Sequence, residues 1–103
     1  MREISNETLQ VARKHALHVQ QHGEKVRNTA NNLRQAGRIS EAQRKQVENC
    51  VELMQQSAQG MHDAVDAAYK SPKDSVEAFV LAVDHHVIAN QYHIIANNLL
   101  IGH

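Results

Sequence analysis

Residues 40–70 decide the fold, and they read SEAQRKQVENCVELMQQSAQGMHDAVDAAYK. Ser40 followed by Gln43 matches the capping box that begins many helices. Apolar and small residues then recur at alternating steps of three and four: Val47, Cys50, Met54, Ser57, Met61, Ala64 and Ala68. Val51, Ala58 and Val65 widen this stripe on one flank. So broad a stripe predicts a helix over residues 41–70 that contacts two neighbours in a bundle.

The preceding segment predicts a helix over about residues 6–36. Ser5 is placed to cap it, with Ile4 and Leu9 as a hydrophobic staple, and Gly37 is placed to end it in a left-handed conformation. Its stripe has the same heptad steps and consists of Leu9, Ala12, Ala16, Val19, Gly23, Val26, Ala30 and Leu33. Gly23 indicates a close approach by another helix, or else a kink. Because the linker to Ser40 is short, these two helices should be antiparallel neighbours.

A third helix is predicted over about residues 72–101, because proline is favoured at the first helical position and Pro72 follows Ser71. Its first half carries one apolar stripe, formed by Val76, Phe79, Val80, Val83 and Val87. Its second half is apolar around more of its circumference, which two neighbouring helices cannot cover. The sequence therefore predicts an all-α bundle of three long antiparallel helices, a single domain over residues 1–103, completed by oligomerisation.

The excess apolar surface is expected after Val87. We interpret it as the interface of a homo-oligomer, with a dimer favoured and a separate protein partner as the alternative. The predicted interface residues are Val87, Ile88, Tyr92, Ile94, Ile95, Leu99, Leu100 and Ile101. A polar stripe interrupts them at steps of four, three and four, formed by His86, Asn90, His93 and Asn97. Hydrogen-bonded polar groups in such a place can fix the register of the interface. The alternatives are a ligand cavity and a solvent-facing stripe.

Histidine is unusually common, with eight residues among 103. His15, His18 and His22 fall within a narrow arc of the first helix and can present imidazoles to zinc, copper or nickel. The alternative is that they flank the core with their polar ends in water. The sequence contains no HExxH, CxxC or CxxCH motif. A transition metal is therefore a hypothesis for these three residues, and otherwise no cofactor is expected.

Catalytic and nucleic-acid signatures are weak. The four glycines are scattered, so there is no phosphate-binding loop, and Cys50 is the only cysteine, expected as a buried inert thiol.

Arg13, Arg27 and Arg34 form a row beside the first helix's stripe, which suits either phosphates or acidic residues of the other helices. His62 with Asp66 is expected as a surface pair. We predict that the protein is not an enzyme. For the arginine row, nucleic-acid binding is less favoured than pairing with acidic residues.

Residues 1–45 carry a net charge of +5 and residues 46–103 one of −5, so the formal charge balances at zero. The polar start lacks the pattern of a secretory signal, and no run of about 20 apolar residues predicts a membrane span. We therefore expect a soluble, cytoplasmic protein.

Three functions follow as hypotheses. The first is a non-enzymatic coiled-coil-like module that self-associates and mediates protein–protein interaction. The second is a helical bundle that binds a metal or small ligand through clustered histidines. The third is a small nucleic-acid-associated regulator, or a subunit of a secreted helical assembly. The last rests on the apolar spacing of residues 76–80 and 94–100, which is similar to that of C-terminal helices in bacterial flagellar rod and related axial proteins.

Overall fold

The computed structural model describes residues 3–101, which form an elongated bundle of three helices measuring 56 × 17 × 15 Å. Helix α1 spans Asn6–Gln35, α2 spans Glu41–Lys70 and α3 spans Ser75–Leu100. No strand occurs among the described residues. The prediction of an all-α bundle is confirmed, and the bounds of α1 and α2 agree with the predicted ones to within one residue.

The start of α3 differs from the prediction. Residues Pro72–Asp74 form a 3-10 turn, and the α-helix begins at Ser75. The Asp74 N–H donates to the Ser71 carbonyl over 2.9 Å, which is the three-residue step of a 3-10 turn. The Ser71 hydroxyl donates to the Asp74 carboxylate over 2.8 Å and caps no backbone N–H of the turn.

Both predicted serine caps are present. The Thr8 N–H donates to the Ser5 hydroxyl over 3.2 Å at the start of α1. At the start of α2 the capping box is complete, because the Gln43 N–H donates to Ser40 Oγ over 3.1 Å and the Ser40 N–H donates to Gln43 Oε1 over 2.7 Å. Each cap satisfies N–H groups that the first helical turn leaves without an intrahelical acceptor.

The turn between α1 and α2 is built on Gly37, whose φ of 71° is the left-handed conformation predicted for it. The Arg38 N–H donates to the Leu33 carbonyl over 2.9 Å, and the Gly37 N–H donates to the Arg34 carbonyl over 3.1 Å. This pair of bonds is the Schellman motif. It reverses the chain within a few residues and sets α2 antiparallel to α1.

Helices α1 and α3 are parallel and in one constant register. The Ile4 N–H donates to Ser75 Oγ over 2.8 Å, the His15 ring lies against His86, and the His22 ring lies against His93. The two partners are 71 residues apart in the chain in every case. Helix α2 is antiparallel to both. Its buried residues, from Val47 to Ala68, contribute to the apolar core along the length of the bundle.

The predicted stripes of α1 and α2 are the buried faces of these helices. In α1 every stripe residue from Leu9 to Ala30 is buried, and Leu33 is half-buried. In α2 the ten stripe residues are the ten buried ones. Gly23 is buried in a continuous helix, and a Cβ built on it would lie 2.6 Å from Gln55 Nε2 of α2. It therefore marks a close approach of another helix, which was one of the two predictions for this residue.

Helix α3 departs from the sequence prediction, because its buried side is lined by small residues: Ser75, Ala78, Ala82, Ala89 and Ala96. The valines of its first half are exposed, between 43% for Val76 and 52% for Val80. The expectation that excess apolar surface begins only after Val87 is therefore wrong. The reason is steric: α2 already fills the core with Val47, Val51, Met54, Met61 and Val65, so the fully buried side of α3 has room only for small side chains.

The close packing of α3 on α2 is visible at Gly60. A Cβ built on Gly60 would lie between 2.6 and 2.8 Å from three ring atoms of His85. Only a glycine leaves room for an imidazole of α3 at this point on α2.

Candidate functional site

The outward face of α3 carries an uncovered heptad stripe. Its residues follow steps of four and three without interruption: Val76, Val80, Val83, Val87, Asn90, Ile94, Asn97 and Ile101. All eight are exposed, up to 60% for Ile94 and 71% for Ile101. We call this set the outer stripe. It has the spacing of a coiled-coil seam, and no other helix among residues 3–101 covers it.

Two different rows border the outer stripe. On one side lie the exposed polar residues Glu77, Asp84, Gln91 and Asn98. On the other side lie Phe79, His86, His93 and Leu100, all half-buried. An apolar strip with a polar row along its solvent side is the arrangement of a helix that packs against another helix.

A second apolar row on α3 lies on its α2 side and consists of Leu81, Ile88 and Ile95, which are 41–56% exposed. Ile88 also lines a shallow groove with Leu53 of α2. Helix α3 is therefore apolar on both sides of its buried alanine face.

The structure distributes the predicted interface residues over three environments. Val87, Ile94 and Ile101 belong to the outer stripe, whereas Ile88 and Ile95 belong to the second row. Tyr92, Leu99 and Leu100 are half-buried and pack against the core of this chain. The predicted interface as a whole stays a prediction.

The predicted polar stripe is divided in the same way. Asn90 and Asn97 are exposed and lie within the outer stripe. His86 and His93 are half-buried and face α1, where their ring centroids lie 4.9 Å from that of His15 and 5.2 Å from that of His22. The two histidines therefore face α1, whereas the two asparagines are exposed.

Both α3 histidines have a lowered pKa. Burial is the larger cause, because it disfavours the charged imidazolium, and the neighbouring histidine of α1 adds repulsion between two positive charges. The pKa of His86 and that of His93 lie below the ordinary value of 6.5. At neutral pH these imidazoles are uncharged and have free lone pairs.

The histidines predicted as a metal set are not gathered into one site. His15, His18 and His22 are all exposed on α1, and only His15 and His22 contact histidines of α3. Among the described residues, no group of three or more histidine, cysteine or acidic side chains is arranged to hold a metal ion. The cross-helix pairing was missed from the sequence, although a signal was present: His15–His22 and His86–His93 have the same seven-residue spacing.

A groove of about 210 Å³ runs between α1 and α3. Its walls are mostly apolar, with Val11, Phe79 and Val83 among them, and both His15 and His86 line it. One histidine pair therefore borders a space large enough for several water molecules or a small ligand.

The arginine row of α1 is paired with carboxylates. Arg13 pairs with Asp66, Arg27 with Glu24 and Glu48, and Arg34 with Glu41. The hydrogen bond to Glu48 is the largest cause of the raised pKa of Arg27. Phosphates and acidic side chains were the two partners expected for this row, and among the described residues acidic side chains bind all three arginines. His62 and Asp66, predicted as a surface pair, both contact Arg13, with His62 Nδ1 3.1 Å from Nη1.

Cys50 is 8% exposed, and burial raises the pKa of its thiol. A raised pKa disfavours the thiolate that a nucleophilic cysteine needs.

No helix within residues 3–101 combines the length and the hydropathy that a membrane span requires. No protein-family model matches the chain, and neither a curated protein nor a solved structure matches it.

Proposed function

We propose that this protein is a non-enzymatic interaction module that self-associates through the outer stripe of α3, with a dimer favoured. The observation that carries the proposal is an uninterrupted heptad stripe, exposed along the whole of α3. Between residues 76 and 101 it extends for about 38 Å at 1.5 Å per residue. An apolar strip of this length is characteristic of a helix–helix interface.

The composition of the stripe favours a second copy of the same helix as its partner. In heptad terms, Val80, Val87, Ile94 and Ile101 occupy one core position and are all β-branched. β-branched residues at this position suit packing against a second helix, and the other core position holds Val76, Val83, Asn90 and Asn97. A parallel two-fold pair also matches each stripe with an identical one, so that the apolar residues and the asparagines of the two copies lie at the same heights.

The two asparagines give such a pairing a preferred register. Asn90 and Asn97 lie in the C-terminal half of an otherwise aliphatic stripe. An amide buried between helices must find a hydrogen-bond partner, and the other copy's asparagines supply one only in certain alignments. Registers that place an amide against valine or isoleucine are therefore disfavoured.

The test is the mass in solution of the wild type and of Ile94→Asp, measured by light scattering. The wild-type mass should be a multiple of the 11.6 kDa chain mass. Ile94→Asp should be monomeric and still helical by circular dichroism, because Ile94 is 60% exposed and contributes little to the core. Burying an unpaired carboxylate in a helix interface is strongly unfavourable.

Leu17→Asp is the matched control, because Leu17 is 47% exposed but lies on α1. It should keep the wild-type mass. Ile95→Asp probes the second apolar row: if it dissociates the oligomer and Ile94→Asp does not, the interface lies on the α2 side of α3. A monomeric wild type at high protein concentration would overturn the proposal.

A further inference from the structure

We infer that α1 and α3 together carry two transition-metal sites, each formed by one histidine from each helix: His15 with His86, and His22 with His93. The ligand class is a divalent ion that favours imidazole nitrogen, namely Zn²⁺, Cu²⁺ or Ni²⁺. Both sites lie within one copy of the chain, so they do not depend on self-association.

The distances between the rings fit a shared ion. Zinc–nitrogen bonds are about 2.0–2.1 Å long, and two imidazoles on one tetrahedral ion therefore hold their ring centroids about 5 Å apart. The centroids here are 4.9 Å apart for His15 and His86 and 5.2 Å apart for His22 and His93. A shared ion also requires a nitrogen of each ring to face it, and rotation about the side-chain bonds sets which ring atoms do so.

The bundle holds the two pairs at a constant register. The same 71-residue offset relates Ile4 to Ser75 and each α1 histidine to its α3 partner. Within each helix the two histidines are seven residues apart, or about 10 Å along the axis. This separation is too large for one ion to bridge both pairs, so the geometry assigns one ion to each.

The chemical state of the imidazoles also suits a metal. A ligating histidine must be neutral, and burial together with the facing histidine keeps the pKa of His86 and of His93 below its ordinary value. In the free protein the charged form of His86 and of His93, which cannot bind a metal, is therefore disfavoured.

The sites are open, which determines what kind of binding they support. His15 and His22 are exposed, and the pair of His15 and His86 lines the groove of about 210 Å³. Each pair supplies two protein ligands, so water or a small ligand completes the coordination of the ion. Such sites exchange their metal readily and do not resemble closed structural zinc sites.

The test is zinc titration of the full chain, without an affinity tag, by calorimetry at pH 7.5. We expect about two zinc ions per chain, one per pair. Zinc at about ten times its dissociation constant should raise the melting temperature by several degrees, because the histidine pairs are held together only in the folded state. Magnesium at the same concentration should have no such effect, because it prefers oxygen ligands.

The variant His15→Asn with His22→Asn leaves one histidine in each pair and should abolish both effects. Both residues are exposed, so the variant should fold, and circular dichroism in the absence of metal checks this. His18→Asn is the matched control, since His18 is exposed on the same helix between the two sites. It should bind zinc as the wild type does. His15→Asn alone should bind about one ion.

Three outcomes would overturn the inference: no heat of zinc binding in the wild type, full binding by the double variant, or an equal loss in His18→Asn. Ile94→Asp should bind zinc normally whether or not the chain self-associates. Failure of the metal sites is therefore distinguishable from failure of the proposed interaction module.

Discussion

Helices α2 and α3 pack against each other, yet they bury opposite kinds of side chain. Helix α2 buries its large residues, with Val47 and Val51 at 0% and Met54 at 1% exposure. Helix α3 buries alanines, with Ala96 at 0%, and exposes its branched residues, with Val80 at 52% and Ile94 at 60%. Apolar character alone therefore does not determine which side of a helix turns inward.

The difference shows that fit determines the packing once one helix has filled the core. A small-residue face lets α3 approach α2 closely, and the large α2 side chains then occupy the space between the helices. The valines and isoleucines of α3 remain exposed.

The largest expected effect comes from removing a large α2 side chain from the core. Met54→Ala should lower the free energy of unfolding by about 2–5 kcal/mol, because it removes buried apolar atoms and leaves a cavity. Leu81→Ala truncates an α3 residue that is 56% exposed and should change it by about 0.5 kcal/mol or less. Urea denaturation measures both. Equal losses in the two variants would contradict the contrast between the helices.

A somewhat smaller effect is expected from enlarging the α3 alanine face. Ala96→Leu should destabilise the protein by about 1–3 kcal/mol, because α3 can no longer approach α2 as closely. Ala67→Leu is the control, since Ala67 is exposed on α2. It should have a negligible effect in the same urea experiment. If Ala96→Leu were neutral, the alanine face would not be what holds α3 close to α2.

The smallest of these effects is the change of stability with pH, which concerns the histidines of α3 that contact α1. The pKa values of His86 and His93 are lower in the folded protein than the ordinary value of 6.5, so the unfolded chain binds protons more readily. The contribution of these two histidines to the free energy of unfolding is fully present above pH 6.5. That free energy should fall as the pH drops below this value. Burial is the larger cause of the lowered pKa values, and repulsion from His15 and His22 is the second.

Urea midpoints at pH 7.5 and pH 5.5, in buffer with a chelator, measure this dependence. Replacing His86 and His93 by asparagine should reduce the loss of stability at the lower pH. His18→Asn should leave it unchanged, which separates the paired histidines from the others. A midpoint that rises on acidification of the wild type, but not of the double variant, would show that the sign is wrong.

Much of the fold was predictable because its signals are local. The caps at Ser5 and Ser40 act within one helical turn, and the left-handed Gly37 acts within one loop. The stripes of α1 and α2 were predictable because only one side of each helix is continuously apolar or small. In α3 the periodicity had more than one solution, since Ala89 and Ile88 are both apolar and lie on different sides.

The candidate sites were less predictable. The outer stripe was visible only in part, because Asn90 and Asn97 were grouped with His86 and His93 instead of with Val87 and Ile94. The cross-helix histidine pairs depend on the alignment of two helices that are not neighbours in the chain. No local rule relates His15 to His86.

The sequence by itself determined where α1 and α2 begin and end, and which of their sides are buried, because hydrogen bonding at helix ends and periodicity within a helix are short-range effects. Tertiary structure alone decided that α3 buries its alanines and that its register places His15 and His22 beside His86 and His93. Both outcomes follow from steric fit between whole helices, since the volume of the α2 side chains determines which face of α3 fits against them.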